Sequence, residues 1–246
     1  MQIIPAFVTQ NKCYQAGAPL TPRGIMLHSV GAPQPSARAL VRYMDQYQPG
    51  GQSVCVHAVA QADGTVYQLL PWEMRGWHCG GSANSTHIGV EMTEPSAGMT
   101  RSEAAEQIAG TYRTVVELFA ELCKQYELDP AQDGVIIGHA EGHRRGVASN
   151  HADPELLWRT YDMGYTMDGF RRDVAEAMKN GAREEALDMP RYDSVAEMPQ
   201  WAHAGVQRLI DRGVLSGVGN GKLDLSLDMI RTMIVCQRML DEQKET

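Results

Sequence analysis

The chain lacks an apolar run long enough to cross a bilayer, which takes about 20 residues, so no membrane-spanning helix is expected. It is short of positive charge. Lys and Arg number 22 against 30 Asp and Glu, a net charge of −8, which excludes the basic face that a nucleic-acid binder presents. The same balance gives no long-range steering toward a polyanion. The start, Met1-Gln2-Ile3-Ile4-Pro5, has neither the basic nor the apolar segment of a secretory signal, so synthesis in the cytoplasm is expected. Cysteine is sparse and widely spaced: Cys13, Cys55, Cys79, Cys123 and Cys236 form no CxxC or zinc-finger pair. That excludes a disulfide framework and predicts reduced, mostly structural thiols.

What is present is chemistry concentrated in one run. Gly138 to Pro154 carries His139, His143 and His151 with Glu141 and Asp153, punctuated by Gly142 and Gly146. The residues before it, Val135-Ile136-Ile137-Gly138, read as a short buried strand. A strand-to-loop transition of this kind projects side chains from a rigid edge into a cleft. Imidazole nitrogen and carboxylate oxygen are ordinary ligands of a divalent metal such as zinc. A catalytic zinc takes three protein ligands and keeps one position open for water. His139 and Asp153 are two candidates, and the third must come from elsewhere.

With 246 residues, 43% of them hydrophobic, the chain has material for one large domain or a medium one plus a small one. Residues 1–23 read as irregular, broken by Pro5, Pro19 and Pro22. Gly24 to Ser29 reads as a buried strand ending in His28. A histidine there is more often a satisfied structural residue than a ligand, and the site-like run downstream is what raises it. Ala37 to Gln48 has helical spacing and stops at Pro49-Gly50-Gly51. Residues 53–70 predict a β-hairpin about Asp63-Gly64. Trp72 to Gly81 is an aromatic, glycine-rich loop, a composition that suits a cleft wall or core filler. His87 to Thr93 predicts a strand in which Ile88, Val90 and Met92 face one way and Glu91 the other, with His87 and Gly89. An acid inside a strand is costly unless paired, metal-linked or lining a cleft. A long scaffold helix runs from Ser102-Glu103 to about Tyr126. Asp153-Pro154 begins a short helix, and Asp168 is the expected N-cap of another that runs from Gly169 to Met178.

The alternation of strands and helices predicts an α/β fold, a central mixed β-sheet flanked by helices, over residues 1–178. Residues 179–192 read as a linker and 193–246 as a small helical unit. In that unit Trp201, Val206, Leu209 and Ile210 form one amphipathic helix. Ser226 caps a second, which bears Ile230, Met233, Ile234 and Leu240. The glycine-rich loop with Asp224 and Asp228 lacks the alternating oxygen ligands of a calcium loop.

The chain resembles the zinc-dependent N-acetylmuramoyl-L-alanine amidases related to phage lysozyme-type amidases and peptidoglycan recognition proteins. The carrying segments, in family order, are Ile25-Met26-Leu27-His28-Ser29, the hairpin from Val56-His57 through Asp63-Gly64 to Gln68, Trp77-His78-Cys79-Gly80, His87-Ile88-Gly89-Val90-Glu91, Ile137-Gly138-His139 and Ala152-Asp153-Pro154. The resemblance implies zinc held by His28, His139 and Asp153. It implies Glu91 as the acid that activates the attacking water, and His151 where the family usually has a lysine for the oxyanion. Some relatives carry a catalytic tyrosine where this chain has Val56. Trp77, His78, His57 and Asn84 are the expected substrate-binding residues, with His143 the substitute ligand. The implied substrate is peptidoglycan, cut between the lactyl group of N-acetylmuramic acid and L-alanine of the stem peptide. An endolysin released through a holin, or acting from outside, is the implied setting. The alternatives are a non-catalytic receptor of the same fold and a zinc endopeptidase on the stem peptide. The tail, from Trp201-Ala202 through Ile210-Asp211-Arg212-Gly213 to Ser226, resembles a single S-layer-homology-like repeat, which implies wall attachment or a homodimer.

Overall fold

In a computed structural model of the chain, Ile25, Met26 and Leu27 are fully buried. It describes residues 1–46, 54–188 and 191–242, and the side chains of all of these except 182–188, 228 and 238–242. Burial on both faces is the condition of a central strand in a mostly parallel sheet. That strand is β2 (Gly24–Ser29) in a sheet with β1 (Gln2–Pro5), β3 (Ala58–Ala60), β4 (Thr65–Gln68), β5 (His87–Met92) and β6 (Ile136–Gly138). The order is β1-β4-β3-β5-β2-β6. Only the β3–β4 hairpin pairs antiparallel; every other neighbour is parallel. The fold is α/β, a central mixed sheet with flanking helices.

Strand alternation sorts the sheet into two faces. Ile25 and Leu27 join Ile88, Val90 and Met92 against the helix α3 (Arg101–Gln125), which contributes Ile108, Val115, Phe119 and Leu122. Phe170 and Val174 of α6 (Met167–Asp188) complete this layer. Each such side chain contributes roughly 1.5–3 kcal/mol on burial. The other face is shallower. There α2 (Ala37–Met44) packs Leu40 and Met44 on Val56, Val59 and Leu69, beside a small cluster of Met26, Cys79, Ala83 and Ile137. His28 and Glu91 point toward this thinner side, in register with one another across β2 and β5.

Several sequence readings need correction. The N-terminal stretch is not irregular: β1 pairs with β4, and α1 (Lys12–Ala16) follows it. Pro5 is tolerated because β1 is an edge strand. The long helix is capped by Thr100, not Ser102. Thr100 Oγ1 accepts from the Glu103 N–H, and Glu103 reaches back to the Thr100 N–H. Thr166, not Asp168, caps α6 through the Gly169 N–H, while Asp168 pairs with Arg171. The run after Gly138 is helical at first: α4 (His139–Arg144) begins there, and α5 (Glu155–Thr160) follows Pro154. Residues 179–192 are helical as far as Asp188, where alanine, arginine and glutamate favour helix. The helix expected to Gln48 ends at Met44, where the Asp45 N–H closes the last turn on the Val41 carbonyl; the expected stop at Pro49-Gly50-Gly51 lies outside the described residues.

The chain forms two compact units, Met1–Asn180 and Gly181–Thr246. In the second, β7 (Arg191–Tyr192) pairs antiparallel with β8 (Leu225–Ser226), and α7 (Gln200–Asp211) packs on α8 (Leu227–Glu242). Its core is Met198, Ala202, Val206, Leu225, Ile230 and Ile234. Ser226 Oγ accepts the Met229 N–H, as an N-cap does. Trp201 is half exposed rather than on the apolar face. Asp224 pairs with Arg191. The side chains of Asp228 and Leu240 lie outside the described residues.

Gly24 marks how tightly the sheet is closed. A Cβ there would sit 2.4 Å from the Val135 carbonyl oxygen, which belongs to rigid backbone. Gly24→Ala is therefore expected to cost about 1–3 kcal/mol. Calorimetry should show a melting temperature lower by several degrees, and an unchanged one would refute the close approach.

Candidate active site

The parallel register brings three strand ends together. His28 lies opposite Glu91 on β5, and Leu27 lies opposite Gly138 on β6, so His139 emerges beside His28. In an open α/β sheet this carboxyl edge is where ligands bind. Asp153 arrives from the loop after α4. Its Oδ2 accepts the Ser29 N–H at 3.3 Å, and its carbonyl accepts the Ala140 N–H at 3.1 Å. Both histidines are buried. Their Nδ1 atoms are 3.0 Å apart. Asp153 Oδ2 lies 3.2 Å from His28 Nδ1, and Oδ1 lies 3.4 Å from His139 Nδ1. Among the described residues His28, His139 and Asp153 form the one cluster whose donor atoms could hold a metal ion, all within 4.8 Å of one another. Two imidazole nitrogens and a carboxylate oxygen match zinc's preferred donors and its three-ligand catalytic pattern, so the residues fit the ion.

The clamp on His139 comes from α6. Arg171 donates to both carboxylate oxygens of Glu141, at 2.9 and 3.0 Å, and to the Ile136 carbonyl at 2.7 Å. Glu141 in turn accepts the Gly138 N–H at 3.2 Å. A bidentate, largely buried pair of this kind fixes the angle at which β6 enters α4.

The cluster opens into a cleft of about 630 Å³ whose lining includes Glu91, His151, Trp77, His78, Asn84 and Tyr43. Among the described residues that line it there is no lysine or arginine. His151 is exposed, and its ring stacks on His139 with centroids 4.6 Å apart. Burial, reinforced by the charges of Asp153 and Glu94, pushes the Glu91 carboxyl well above the usual range.

Residues 18–156 match the family described as N-acetylmuramoyl-L-alanine amidase. The chain belongs to that family. The amidase also resembles solved structures. One is the Staphylococcus aureus hydrolase AmiA in complex with its ligand: TM-score 0.58 and 20% identity over 72% of this chain and 83% of that one. PlyL gives 0.53 and 20% over 71% and 97%, and a mutant endolysin from Bacillus subtilis gives 0.51 and 21% over 71% and 99%. These likenesses show the fold. Comparison with curated protein sequences finds no match. The amidase is a peptidoglycan hydrolase that cleaves the bond between the lactyl group of N-acetylmuramic acid and L-alanine.

Not every expected residue reaches the amidase's cleft. His57 is a correction: it is fully buried and is not among the residues that line this cleft. Its Nε2–H donates to the Met74 carbonyl at 2.7 Å, and its Nδ1 accepts the Gly89 N–H at 2.9 Å, so both ring nitrogens serve the backbone. His143, the substitute ligand, is exposed and lies outside the metal cluster. Asn84 lines the cleft, but its Oδ1 accepts the N–H groups of His78 and Cys79 and so shapes the loop. His78 lines the cleft too, with its ring nitrogens 2.9 Å from His28 Nε2 and 3.1 Å from the His87 carbonyl. Sequence reading missed Arg171 and Ser149. Arg171 lies on a helix with no motif to mark it. Ser149 Oγ, 3.2 Å from His139 Nε2, sits inside the singled-out run but was not itself selected.

Two measurements test this arrangement. Arg171→Met leaves Glu141 without its partner and should cost about 2–3 kcal/mol in denaturant unfolding. A full-stability variant would mean that the clamp is idle. Burial also keeps His28, His57, His78 and His87 neutral by lowering their pKa values. For His57 the drop is from 6.5 to about 4. The unfolded chain therefore takes up protons first, and stability is lost as pH falls below about 6.5 and through about 4. His57→Gln should flatten that slope; an unaltered slope would mean that His57 is not held neutral.

Proposed function

We propose that the amidase is zinc-dependent, with His28, His139 and Asp153 as ligands, Glu91 as the acid–base group and His151 as hydrogen-bond donor to the oxyanion. The observation that carries the reading is the meeting of two histidine nitrogens and a carboxylate within 4.8 Å at the floor of the cleft. A zinc ion supplies Lewis acidity toward the amide carbonyl and lowers the pKa of an attacking water toward ~7. Glu91 lines the same cleft, and its raised pKa makes it a stronger base than a free carboxylate. It takes the water's proton and returns it to the departing L-alanine amine. His151 stands at the exposed side of His139. No lysine or arginine is among the described lining residues, and the His151 imidazole there can donate a hydrogen bond to the developing negative charge.

Trp77 and the exposed Tyr43 give the cleft aromatic walls, and we assign Trp77 to substrate contact. A second cavity of about 320 Å³ shares Ser29, His151 and Asp153 with the first. Space therefore continues past the centre, as an extended substrate requires. The receptor-like reading is disfavoured because all three donor positions hold competent ligands.

In this reading the protein is an endolysin that is made in the cytoplasm and meets the wall after passing a holin lesion, or from outside. The Gly181–Thr246 unit, with its own core and its likeness to an S-layer-homology repeat, then serves wall attachment or pairs two copies.

Metal analysis and product analysis test the scheme. His139→Ala should lose bound zinc, and an undiminished metal content would remove His139 from the ligand set. Glu91→Gln should keep zinc and lose about 10²–10⁴-fold in kcat. Mass spectrometry of digested peptidoglycan should show intact stem peptides with a free L-alanine amine. Cuts within the peptide would make the protein an endopeptidase instead, and binding without cleavage would make it a receptor.

A further inference from the structure

We propose that His78 is a positioning residue that fixes the ring tautomer of His28, so that His28 presents its Nδ1 lone pair to the metal. The proposal rests on the metal-centre reading above and assigns a role to a histidine outside the ligand set.

The argument starts at a group that cannot change its hydrogen-bonding sense. The His87 carbonyl oxygen, on the first residue of β5, can only accept. It lies 3.1 Å from His78 Nε2, so that nitrogen carries the hydrogen. Neutral His78 then has its lone pair on Nδ1, which lies 2.9 Å from His28 Nε2. His28 must therefore carry its own hydrogen on Nε2. Its lone pair is left on Nδ1, the atom 3.0 Å from His139 Nδ1 and 3.2 Å from Asp153 Oδ2.

His139 is fixed in the same sense from another direction. Ser149 Oγ donates to the Cys79 carbonyl at 3.0 Å, which leaves it free to accept from His139 Nε2 at 3.2 Å. Both rings thus turn bare nitrogens toward a carboxylate. The alternative tautomer of His28 would set Nδ1–H against Asp153, forming a hydrogen bond in place of a metal donor. It would also set two lone pairs face to face at 2.9 Å across His28 and His78. That repulsion is how His78 excludes it. Histidine ligands commonly need such an outer partner on the second ring nitrogen.

The fold holds the His78 ring closely. Its backbone N–H donates to Asn84 Oδ1 at 2.9 Å. Its ring lies over Gly89, where a Cβ would come within 2.4 Å of Cγ. The bare glycine is what lets the imidazole settle between β5 and the end of β2.

The test uses the full chain, with zinc affinity measured by competition with a chromogenic chelator and histidine tautomers read from ¹⁵N ring shifts in the zinc-free protein. His78→Leu removes the acceptor. His78→Asn keeps an oxygen near the place of Nδ1. We expect His78→Leu to bind zinc about 10–100-fold more weakly and to shift His28 toward the Nδ1–H tautomer, while His78→Asn restores most of the affinity. A folded His78→Leu variant with wild-type affinity and an unchanged His28 tautomer overturns the proposal. So does equal weakening in His78→Leu and His78→Asn, which would mark a merely steric role. If His78→Leu does not fold, the wild-type spectrum decides, since an Nδ1–H tautomer on His28 would refute the relay. A wild-type chain that takes up no zinc at all would instead sink the metal-centre reading, and the tautomer measurement would still judge the relay.

Discussion

The structure depends on a repulsion. Two histidine nitrogens face each other at 3.0 Å, with a carboxylate at 3.2 and 3.4 Å from them, and in the proposed tautomers the hydrogens of both rings are engaged elsewhere. Bare lone pairs at such distances repel unless a cation lies among them. A soft scaffold would let the rings swing apart. This one does not, because each donor is anchored to rigid backbone: His28 at the end of a fully buried strand, His139 at a strand-to-helix joint clamped by Arg171, and Asp153 against the Ser29 N–H. Rigidity assembled in advance is what a metal site requires if binding is not to pay for ordering three side chains.

The sheet divides its labour between two faces. One buries Ile25, Leu27, Ile88 and Val90 beneath α3 and supplies most of the hydrophobic stabilisation. The other carries His28 and Glu91 and is only partly covered, by α2 and the Trp77–Gly81 loop. Alternation along β2 and β5 makes this division automatic, since neighbouring residues cannot share a face. The catalytic edge is thus mounted on the same strands that form the core, which sets the donor positions to within what a packed interior allows.

Histidines show how residue type and role part company. His28, His57, His78, His87 and His139 are all buried or largely so, and composition treats them alike. His57 and His87 spend ring nitrogens on backbone groups of Met74, Gly89 and Gly134. In the proposed tautomers His28 and His139 keep one nitrogen bare. His78 stands between the two kinds, with one nitrogen on the backbone and the other on His28. The Trp77-His78-Cys79-Gly80 loop was legible as a cleft wall. Which of His57 and His78 would reach the cleft was not, because their partners lie on other strands and loops.

The sequence by itself determined the strand and helix alternation, the face on which Glu91 lies, and the chemical types gathered around His28, His139 and Asp153. Those follow from local periodicity and side-chain chemistry, which need no knowledge of distant neighbours. Only the tertiary structure decided that β1 would close the sheet edge, that α4 would start at His139, and that Arg171 would hold Glu141. It also decided which group each buried histidine nitrogen meets. Those are outcomes of contacts between residues far apart in the chain, 124 positions in the case of Ser29 and Asp153. Hydrogen-bond satisfaction in a buried site is set by whichever group the fold delivers, not by the residues beside it in sequence.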